Sequence, residues 1–213
     1  MKTRLMHRVF ASVAGSLLVF GAMTVSVSAG KVPTAPGQNK LLCFDGTTDT
    51  GFGGTCTLTS NGAKGPAILD LTSPNPNGDY AGVYVLESTV YGQLLSKITQ
   101  LSYSYTGTIA PLPGNLSLNV PIDADGSGTT DFYLFVDAYY CPGVAGYVDI
   151  ILDPTCGMWA EGVGYSNWAS FVAAYPDAKV AMDAYTFLIA ERTPAEPAAV
   201  WTVSNVKFGK AGK

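Results

Sequence analysis

The nine residues Asp123-Ala-Asp-Gly-Ser-Gly-Thr-Thr-Asp131 separate two stretches in which apolar and polar side chains alternate, Leu116–Ile122 and Phe132–Tyr140. Alternation with a period of two is typical of β-strands, because successive side chains point to opposite faces of a sheet. The glycine- and aspartate-rich segment between them has the composition of a tight turn. This part of the chain therefore predicts a β-hairpin whose tip carries three carboxylates.

Short stretches of the same β type recur along the chain, each bounded by glycine, proline, asparagine or aspartate. Eight or more short strands separated by such turns are typical of a two-sheet sandwich or jelly roll, so we expect an all-β fold. The predicted strands are Thr57–Thr59, Ala67–Leu71, Ala81–Leu86, Lys97–Thr106, Asn115–Ile122, Asp131–Tyr140, Gly146–Leu152, Ala181–Glu191 and Val200–Phe208.

One segment, residues 166–175, has a helical rather than an alternating pattern. Its apolar residues recur at i, i+3, i+4 and i+7, which places them on one face of a helix. Ser166 is a suitable N-cap, and Pro176 would end the helix. We therefore expect one short helix that buries Trp168, Phe171, Val172 and Tyr175 against an open end of the sandwich.

The first 29 residues have the features of a secretory signal peptide. Three basic residues precede an uncharged apolar stretch, Val9–Val25, and Val27-Ser-Ala29 provides small residues for cleavage. A membrane anchor is the alternative, but this stretch contains several serines and glycines and has no basic flank after it. We therefore predict a secreted or extracellular protein without membrane insertion in its mature form, with the periplasm as the alternative location. Its organisation would be a lead-in at 30–40, one domain at 41–209 and a tail at 210–213.

Charge and histidine content exclude several classes of function. The chain has 16 acidic and 12 basic residues, and three of the basic ones belong to the leader, so the mature surface would repel phosphates. A nucleic-acid partner is therefore disfavoured. The single histidine, His7, lies in the leader, which excludes Ser-His-Asp and Cys-His catalysis and histidine-ligated metals in the mature chain. We expect the protein not to be an enzyme; any catalysis would have to use Asp, Glu, Tyr, Lys or a bound cation.

The four cysteines are Cys43, Cys56, Cys141 and Cys156. An even number in an exported chain favours two disulfides over a metal site. Four cysteines allow three pairings, and we favour Cys43–Cys56 and Cys141–Cys156 because each closes a short, turn-rich loop.

The second half of the chain resembles a jelly-roll domain of many secreted bacterial proteins with unassigned or carbohydrate-related roles. Three motifs within residues 98–209 carry the resemblance: a Leu-Asn-Val strand leading into Asp123-x-Asp-Gly-x-Gly-Thr, then Asn167-Trp-Ala-Ser-Phe-Val-Ala-Ala-Tyr-Pro-Asp-Ala-Lys-Val180, then Trp201-Thr-Val-Ser-Asn-Val-Lys-Phe-Gly209. The last two look like the final strands of carbohydrate-binding sandwiches. The resemblance implies a fold more strongly than a function, because unrelated activities share this architecture.

The hairpin tip is a candidate Ca²⁺ site, because Asp123, Asp125, Ser127 and Asp131 offer hard oxygen ligands at odd spacings. It is not an EF-hand, because Leu134 occupies the place of the EF-hand's bidentate glutamate. The alternative, which we favour, is a plain turn in which aspartate and glycine serve the backbone.

Aromatic residues on the strands are candidates for binding sugars, whose apolar C–H faces stack on exposed rings. The candidate ligand-binding residues are Asn119, Tyr133, Asp137, Tyr139 and Trp159. The alternative is that these rings only fill half-buried sheet surface, where tyrosine is favoured.

We therefore expect a non-catalytic binding domain for a carbohydrate or a cell-envelope glycan. A polysaccharide hydrolase or lyase is one alternative and needs a pair of acids, with Glu87, Asp137, Asp149, Asp153 and Glu161 as candidates. A structural or adhesive extracellular protein is the other.

Overall fold

The computed structural model describes residues 40–48, 51–59, 65–86 and 89–209. The predicted leader, almost all of the lead-in and the predicted tail lie outside these residues. Within the described part of the chain, thirteen strands form two antiparallel sheets, and there is one α-helix, α1 (Trp168–Ala174). The prediction of an all-β, two-sheet sandwich with a short helix is confirmed.

Sheet A contains eight of the described strands, and sheet B contains five. The strands of sheet A are β1 (Leu41–Asp45), β4 (Asp79–Val85), β6 (Leu116–Asp123), β7 (Phe132–Asp137), β9 (Met158–Ala160), β10 (Val163–Tyr165), β11 (Lys179–Val180) and β12 (Thr186–Arg192). Those of sheet B are β2 (Thr55–Leu58), β3 (Ala67–Leu71), β5 (Gln100–Gly107), β8 (Tyr147–Asp149) and β13 (Ala199–Gly209). The order in sheet A is β1-β4-β12-β6-β7-β9-β10, with β11 beside β6, and in sheet B it is β2-β3-β13-β5-β8.

The inner faces of the two sheets form the hydrophobic core. Alternation places Leu118 and Val120 of β6 inward together with Leu134 and Val136 of β7, and all four are buried. Sheet B contributes its own inward residues, among them the fully buried Trp201. Burial of apolar surface on this scale is the main driving force for folding, at about 25 cal/mol per Å².

Both favoured disulfides are present. Cys43–Cys56 joins β1 of sheet A to β2 of sheet B. Cys141–Cys156 joins the residue after the 3₁₀ turn Ala138–Tyr140 to the segment that leads into β9. Disulfides of this kind are typical of proteins from oxidising compartments, which fits an extracellular protein.

Several predicted boundaries are wrong, and local hydrogen bonds explain two of them. The strand predicted for 131–140 ends at Asp137, because its carboxylate accepts the backbone N–H of Tyr139 and starts a 3₁₀ turn. The strand predicted for 146–152 ends at Asp149, whose carboxylate accepts the N–H groups of Ile151 and Leu152 at 3.3 and 3.0 Å. The strand predicted from Ala181 begins only at Thr186.

The cap of α1 is also corrected. Asn167, not Ser166, is the N-cap: its side chain accepts the N–H of Ser170 at 2.9 Å, and the Ser170 hydroxyl accepts the N–H of Asn167 at 3.2 Å. This reciprocal pair is a capping box and fixes the first turn of the helix. No helix in the described ranges is long and apolar enough to cross a membrane.

Candidate functional site

The outer face of sheet A carries an open groove of about 410 Å³ at one end of β6 and β7. We call it the groove throughout. Its floor and walls are formed by Pro113, Gly114, Ser117, Phe135, Asp137, Tyr140, Trp159 and Glu191.

Strand pairing explains how residues far apart in the sequence meet in the groove. Paired residues of antiparallel strands present their side chains on the same face. Ser117 of β6 pairs with Asp137 of β7, and Phe135 of β7 pairs with Trp159 of β9. On the other side of β6, the Glu191 N–H donates to the Asn115 carbonyl at 3.2 Å. Four strands therefore contribute to one surface.

Three aromatic rings make the groove's exposed wall. Phe135 is 48% exposed and Tyr140 is 37% exposed, while Trp159 is half-buried between them and the neighbouring strand. The Tyr140 and Trp159 rings meet edge to face, with centroids 4.4 Å apart. A Cβ atom at Gly164 would lie 3.3 Å from Trp159 Nε1, so glycine on β10 leaves room for the indole. The wall is therefore rigid but reachable from solvent.

Asp137 shapes the groove through two backbone hydrogen bonds. One carboxylate oxygen accepts the Gly114 N–H, and the other accepts the Tyr139 N–H at 2.9 Å. These bonds hold the turn before β6 and the 3₁₀ turn that carries Tyr140. Burial raises the pKa of the Asp137 carboxyl, and the two N–H donors oppose that rise. Asp137 is thus a structural acceptor that also lines the groove.

Glu191 is the second acid of the groove and lies near the C-terminal end of β12. Burial, followed by the negative charge of Glu196, raises the pKa of Glu191 to about 7. No described residue donates a hydrogen bond to its carboxylate or pairs with it as a cation. A carboxyl in this state can exchange a proton near neutral pH and can accept a donor from a ligand.

The predicted ligand-binding residues are only partly brought together. Asp137 and Trp159 line the groove. Tyr139 lines a separate, smaller pocket of about 180 Å³ and touches the groove only through its ring contact with Tyr140, at 4.8 Å. Tyr133 packs on Phe187 at 5.6 Å, further along the sheet. Asn119 is 1% exposed and does not line the groove; it lies on the same face of β6 as Ser117, and its amide donates to Ser117 Oγ at 3.2 Å.

Sequence reasoning missed Phe135, Tyr140, Ser117 and Glu191. Phe135 has the same strand parity as Asp137, so the alternation already contained that signal. Glu191 could not be found this way, because its place depends on the pairing of β12 with β6, which alternation does not specify.

The tip of the β6–β7 hairpin is a separate cluster of three carboxylates, Asp123, Asp125 and Asp131. One carboxylate oxygen of each lies within 4.8 Å of the others, so the cluster could hold a metal ion. The same carboxylates already accept backbone N–H groups. Asp123 accepts those of Gly126 and Gly128 at 2.7 and 3.0 Å, and Asp131 accepts that of Ala124 at 2.7 Å.

Ser127, the fourth predicted ligand, is used within the loop. Its N–H donates to Asp125 at 2.9 Å, and its hydroxyl lies 2.8 Å from that of Thr129. The bonds from Ser127 lower the pKa of the Asp125 carboxyl. Gly126 and Gly128 have φ of 83° and 91°, which L side chains rarely adopt, so both glycines are needed for this bend.

Comparisons with protein-family models, with curated proteins and with solved structures found no match to this chain. The two antiparallel sheets are compatible with a jelly-roll-like fold, which agrees with the resemblance at the level of architecture.

Proposed function

We propose that the protein is a secreted, non-catalytic domain that binds a carbohydrate or a cell-envelope glycan in the groove. The observation that carries the proposal is the wall of Phe135, Tyr140 and Trp159 standing beside the polar floor of Ser117, Asp137 and Glu191. Exposed rings offer flat apolar faces to the C–H surface of a sugar, while floor oxygens accept its hydroxyl protons. Binding sites commonly combine aromatic lining with a few convergent polar groups.

The state of Asp137 favours binding over hydrolysis. Glycoside hydrolysis uses two carboxyls, one as an acid and one as a base or nucleophile. Both oxygens of Asp137 are already held by backbone N–H groups, which leaves Glu191 as the groove acid without a partner among the described residues. The two disulfides support export to an oxidising compartment.

Intrinsic tryptophan fluorescence tests the proposal directly. The chain has three tryptophans, of which Trp168 and Trp201 are buried, so a glycan in the groove should change the signal of Trp159. A glycan array would select the ligand, and titration would then give its affinity. Trp159→Ala should lower that affinity about five- to thirtyfold, since losing a stacking ring costs on the order of 1–2 kcal/mol.

Met182→Ala is the matched control, because Met182 is an exposed apolar residue beside Gly128 at the opposite end of the hairpin. It should bind glycan like the parent protein. Release of reducing ends or unsaturated sugars would replace the binding proposal by the hydrolase or lyase alternative. An array without any Trp159-dependent ligand would contradict glycan binding in the groove.

The spacing alone favoured a plain turn, but the fold brings one carboxylate oxygen of each of the three aspartates within 4.8 Å of the others. For this reason we also propose that the hairpin tip binds Ca²⁺. Ca²⁺ prefers carboxylate and carbonyl oxygens, and it would offset the mutual repulsion of the three charges. A Ca²⁺ ion at this place would stabilise the β6–β7 hairpin and has no role in the groove.

Thermal unfolding with and without chelator tests this second proposal. A ligand that binds only the folded state at 100 times its Kd stabilises it by about 2.7 kcal/mol, so Ca²⁺ should raise the Tm by several degrees. Asp125→Ala should abolish this rise, because Asp125 is exposed and its loss spares the core. Asp70→Asn, in sheet B, should retain it. Identical melting curves for the parent protein with Ca²⁺ and with chelator would leave the tip as a plain turn.

A further inference from the structure

Among the residues that the structure describes, no cation pairs with the Glu191 carboxylate. Arg192, the next residue in the sequence, is engaged elsewhere: it pairs with Asp79 at 2.6 Å and donates to the carbonyl of Ser73 at 2.6 Å and to that of Glu196 at 3.2 Å. Glu196 adds a second negative charge, and its own carboxylate accepts the Thr193 N–H at 2.7 Å. An ionised Glu191 is therefore repelled by Glu196, and no described cation offsets this repulsion.

The groove as a whole is acidic. Within the described ranges, its lining contains two carboxyls, those of Asp137 and Glu191, and no lysine or arginine. A uronic acid, a sulfated sugar or a phosphate in the groove would meet only like charges, which costs free energy. A ligand with a positive charge would instead supply the partner that Glu191 lacks.

The aromatic wall also favours a cation. Ammonium groups are attracted to the faces of tryptophan and tyrosine rings, by about 0.5–1 kcal/mol at exposed sites and more where water is excluded. Trp159 and Tyr140 line the same groove as Glu191. The surface therefore combines a carboxylate with electron-rich rings, and the rings also suit the C–H face of a sugar.

We propose that the groove selects glycans that carry free amino groups, with the ammonium of a hexosamine placed at Glu191 and its pyranose ring stacked on the wall of Phe135, Tyr140 and Trp159. This inference rests on the proposed function, because it names the class of glycan that the same groove takes. Charge complementarity is what selects an amino sugar over its N-acetylated or acidic counterparts.

Two oligosaccharides of equal length test the selection: one of β-1,4-linked glucosamine and one of β-1,4-linked N-acetylglucosamine. Calorimetric titration near pH 6.5 and at low salt should show the amino form binding about tenfold more tightly, the usual effect of one charge-assisted hydrogen bond. Raising the ionic strength should reduce this preference, because salt screens exposed charge pairs.

Glu191→Gln should remove the preference, and Glu191→Ser serves as a second variant if the first folds poorly. Glu196→Gln is the matched control: it removes a neighbouring carboxylate outside the groove lining and should retain the preference. Trp159→Ala should weaken binding of the amino oligomer about five- to thirtyfold, which places the ligand in the groove and not elsewhere on an acidic surface.

A ligand whose charge does not change with pH separates the titration of Glu191 from that of the sugar's amino group. Trimethylated glucosamine oligomers stay positive at every pH, so their affinity should rise between pH 5.5 and 8.5 as Glu191 ionises around its raised pKa of about 7. The other titratable groups near Glu191 are Asp137 and Tyr140 in the groove lining, Tyr80 on the paired strand, and Glu196. Arg192 follows Glu191 on β12, so its side chain lies on the opposite face of the strand, where it pairs with Asp79. The Glu191→Gln variant should show a flat profile if none of these groups is responsible.

The failures of the two proposals are distinguishable. Equal or tighter binding of the acetylated oligomer, or of an acidic glycan from the array, with dependence on Trp159 would overturn the amino-sugar inference and leave glycan binding intact. No Trp159-dependent binding of any glycan would overturn both. A lysine-rich peptide that binds through Glu191 and Trp159, where the glucosamine oligomer does not, would assign the groove to a basic polypeptide and also overturn the inference.

Discussion

Glu191 shows how one residue can store unfavourable free energy in the folded state. In the unfolded chain its carboxyl ionises near 4.5, whereas in the fold it keeps its proton up to about pH 7. Between pH 4.5 and about pH 7 the folded state binds more protons than the unfolded state, so the free energy of unfolding falls as the pH rises. Above pH 7 the cost of ionising a half-buried acid is fully present. Below about pH 4.5 it is absent.

Replacement of Glu191 by Gln should therefore stabilise the protein at pH 8 and not at pH 4. The shift between the two pKa values corresponds to a gain on the order of 1–2 kcal/mol, once solvent screening of a partly exposed group is allowed for. Urea unfolding at both pH values measures the effect, with Glu196→Gln as the comparison. A gain of the same size at pH 4 and pH 8 would show that Glu191 does not titrate abnormally.

Individual site residues could be predicted when a local pattern marked them. Asp137 and Trp159 are candidates from the sequence because they lie among aromatic residues of strand-like segments, and both line the groove. Tyr133 and Asn119 have the same parity as Asp137 but do not line the groove. Tyr133 packs on Phe187, and Asn119 is buried. The partner strands decide which of the odd-numbered side chains remain exposed to solvent. A single sequence does not reveal which strands pair.

At the scale of an element, the β9–β10 hairpin has an unfavourable turn residue. Its two-residue loop consists of Glu161 and Gly162, with φ of 50° and 77°. Such loops place both residues in the left-handed region, where asparagine and glycine are favoured and other residues pay about 1 kcal/mol. Glu161 recovers part of this cost by accepting the Tyr175 hydroxyl at 3.2 Å.

Glu161→Asn should stabilise the protein by about 0.5 kcal/mol, because asparagine adopts the turn conformation at lower cost and the exposed hydrogen bond that it loses is weak. Glu161→Gln is the matched control, since it keeps the long side chain and its acceptor without relieving the backbone. Chemical denaturation of the two variants beside the parent protein measures the difference. Equal stability of the asparagine and glutamine variants would contradict the role given to the backbone.

Elements could be predicted where they are long and strongly patterned, and were missed where they are short. The strand Ala67–Leu71 was predicted with its observed bounds. Strands β9 and β10 have three residues each and β11 has two, which is too short for an alternating pattern to be recognised. These strands form because their backbones pair with neighbouring strands. Likewise, the choice of Asn167 over Ser166 as helix cap depends on which side chain reaches the N–H of Ser170.

At the scale of the whole molecule, alternation predicted two stacked sheets but not the order of their strands. β12 lies between β4 and β6, and β13 lies between β3 and β5, so residues near the end of the chain complete both sheets. Sequential neighbours account for only some of these pairings. The groove depends on the pairing of β12 with β6, which are far apart in the sequence. The fold class could therefore be predicted from the sequence, but the complete site could not.

The two disulfides have similar loop lengths but different positions. Their sequence separations are 13 and 15, so the chain-entropy account predicts about 3 kcal/mol of stabilisation for each. Cys43–Cys56 ties sheet A to sheet B at the β1 edge. Cys141–Cys156 instead ties the segment that follows Tyr140 to the one that precedes Trp159, and the Gly157 N–H donates to the Tyr140 carbonyl at 2.9 Å beside it.

Removing the two disulfides separately should therefore have similar effects on stability and different effects on binding. Both double Cys→Ser variants should lose about 3 kcal/mol of unfolding free energy. Only Cys141→Ser with Cys156→Ser should also weaken the groove ligand, by several-fold, because Tyr140 and Trp159 would no longer be held together before the ligand arrives. Affinity is measured well below each variant's Tm, where both remain folded. Equal loss of affinity in the two variants would mean that the wall of the groove owes its rigidity to the sandwich and not to the bond beside it.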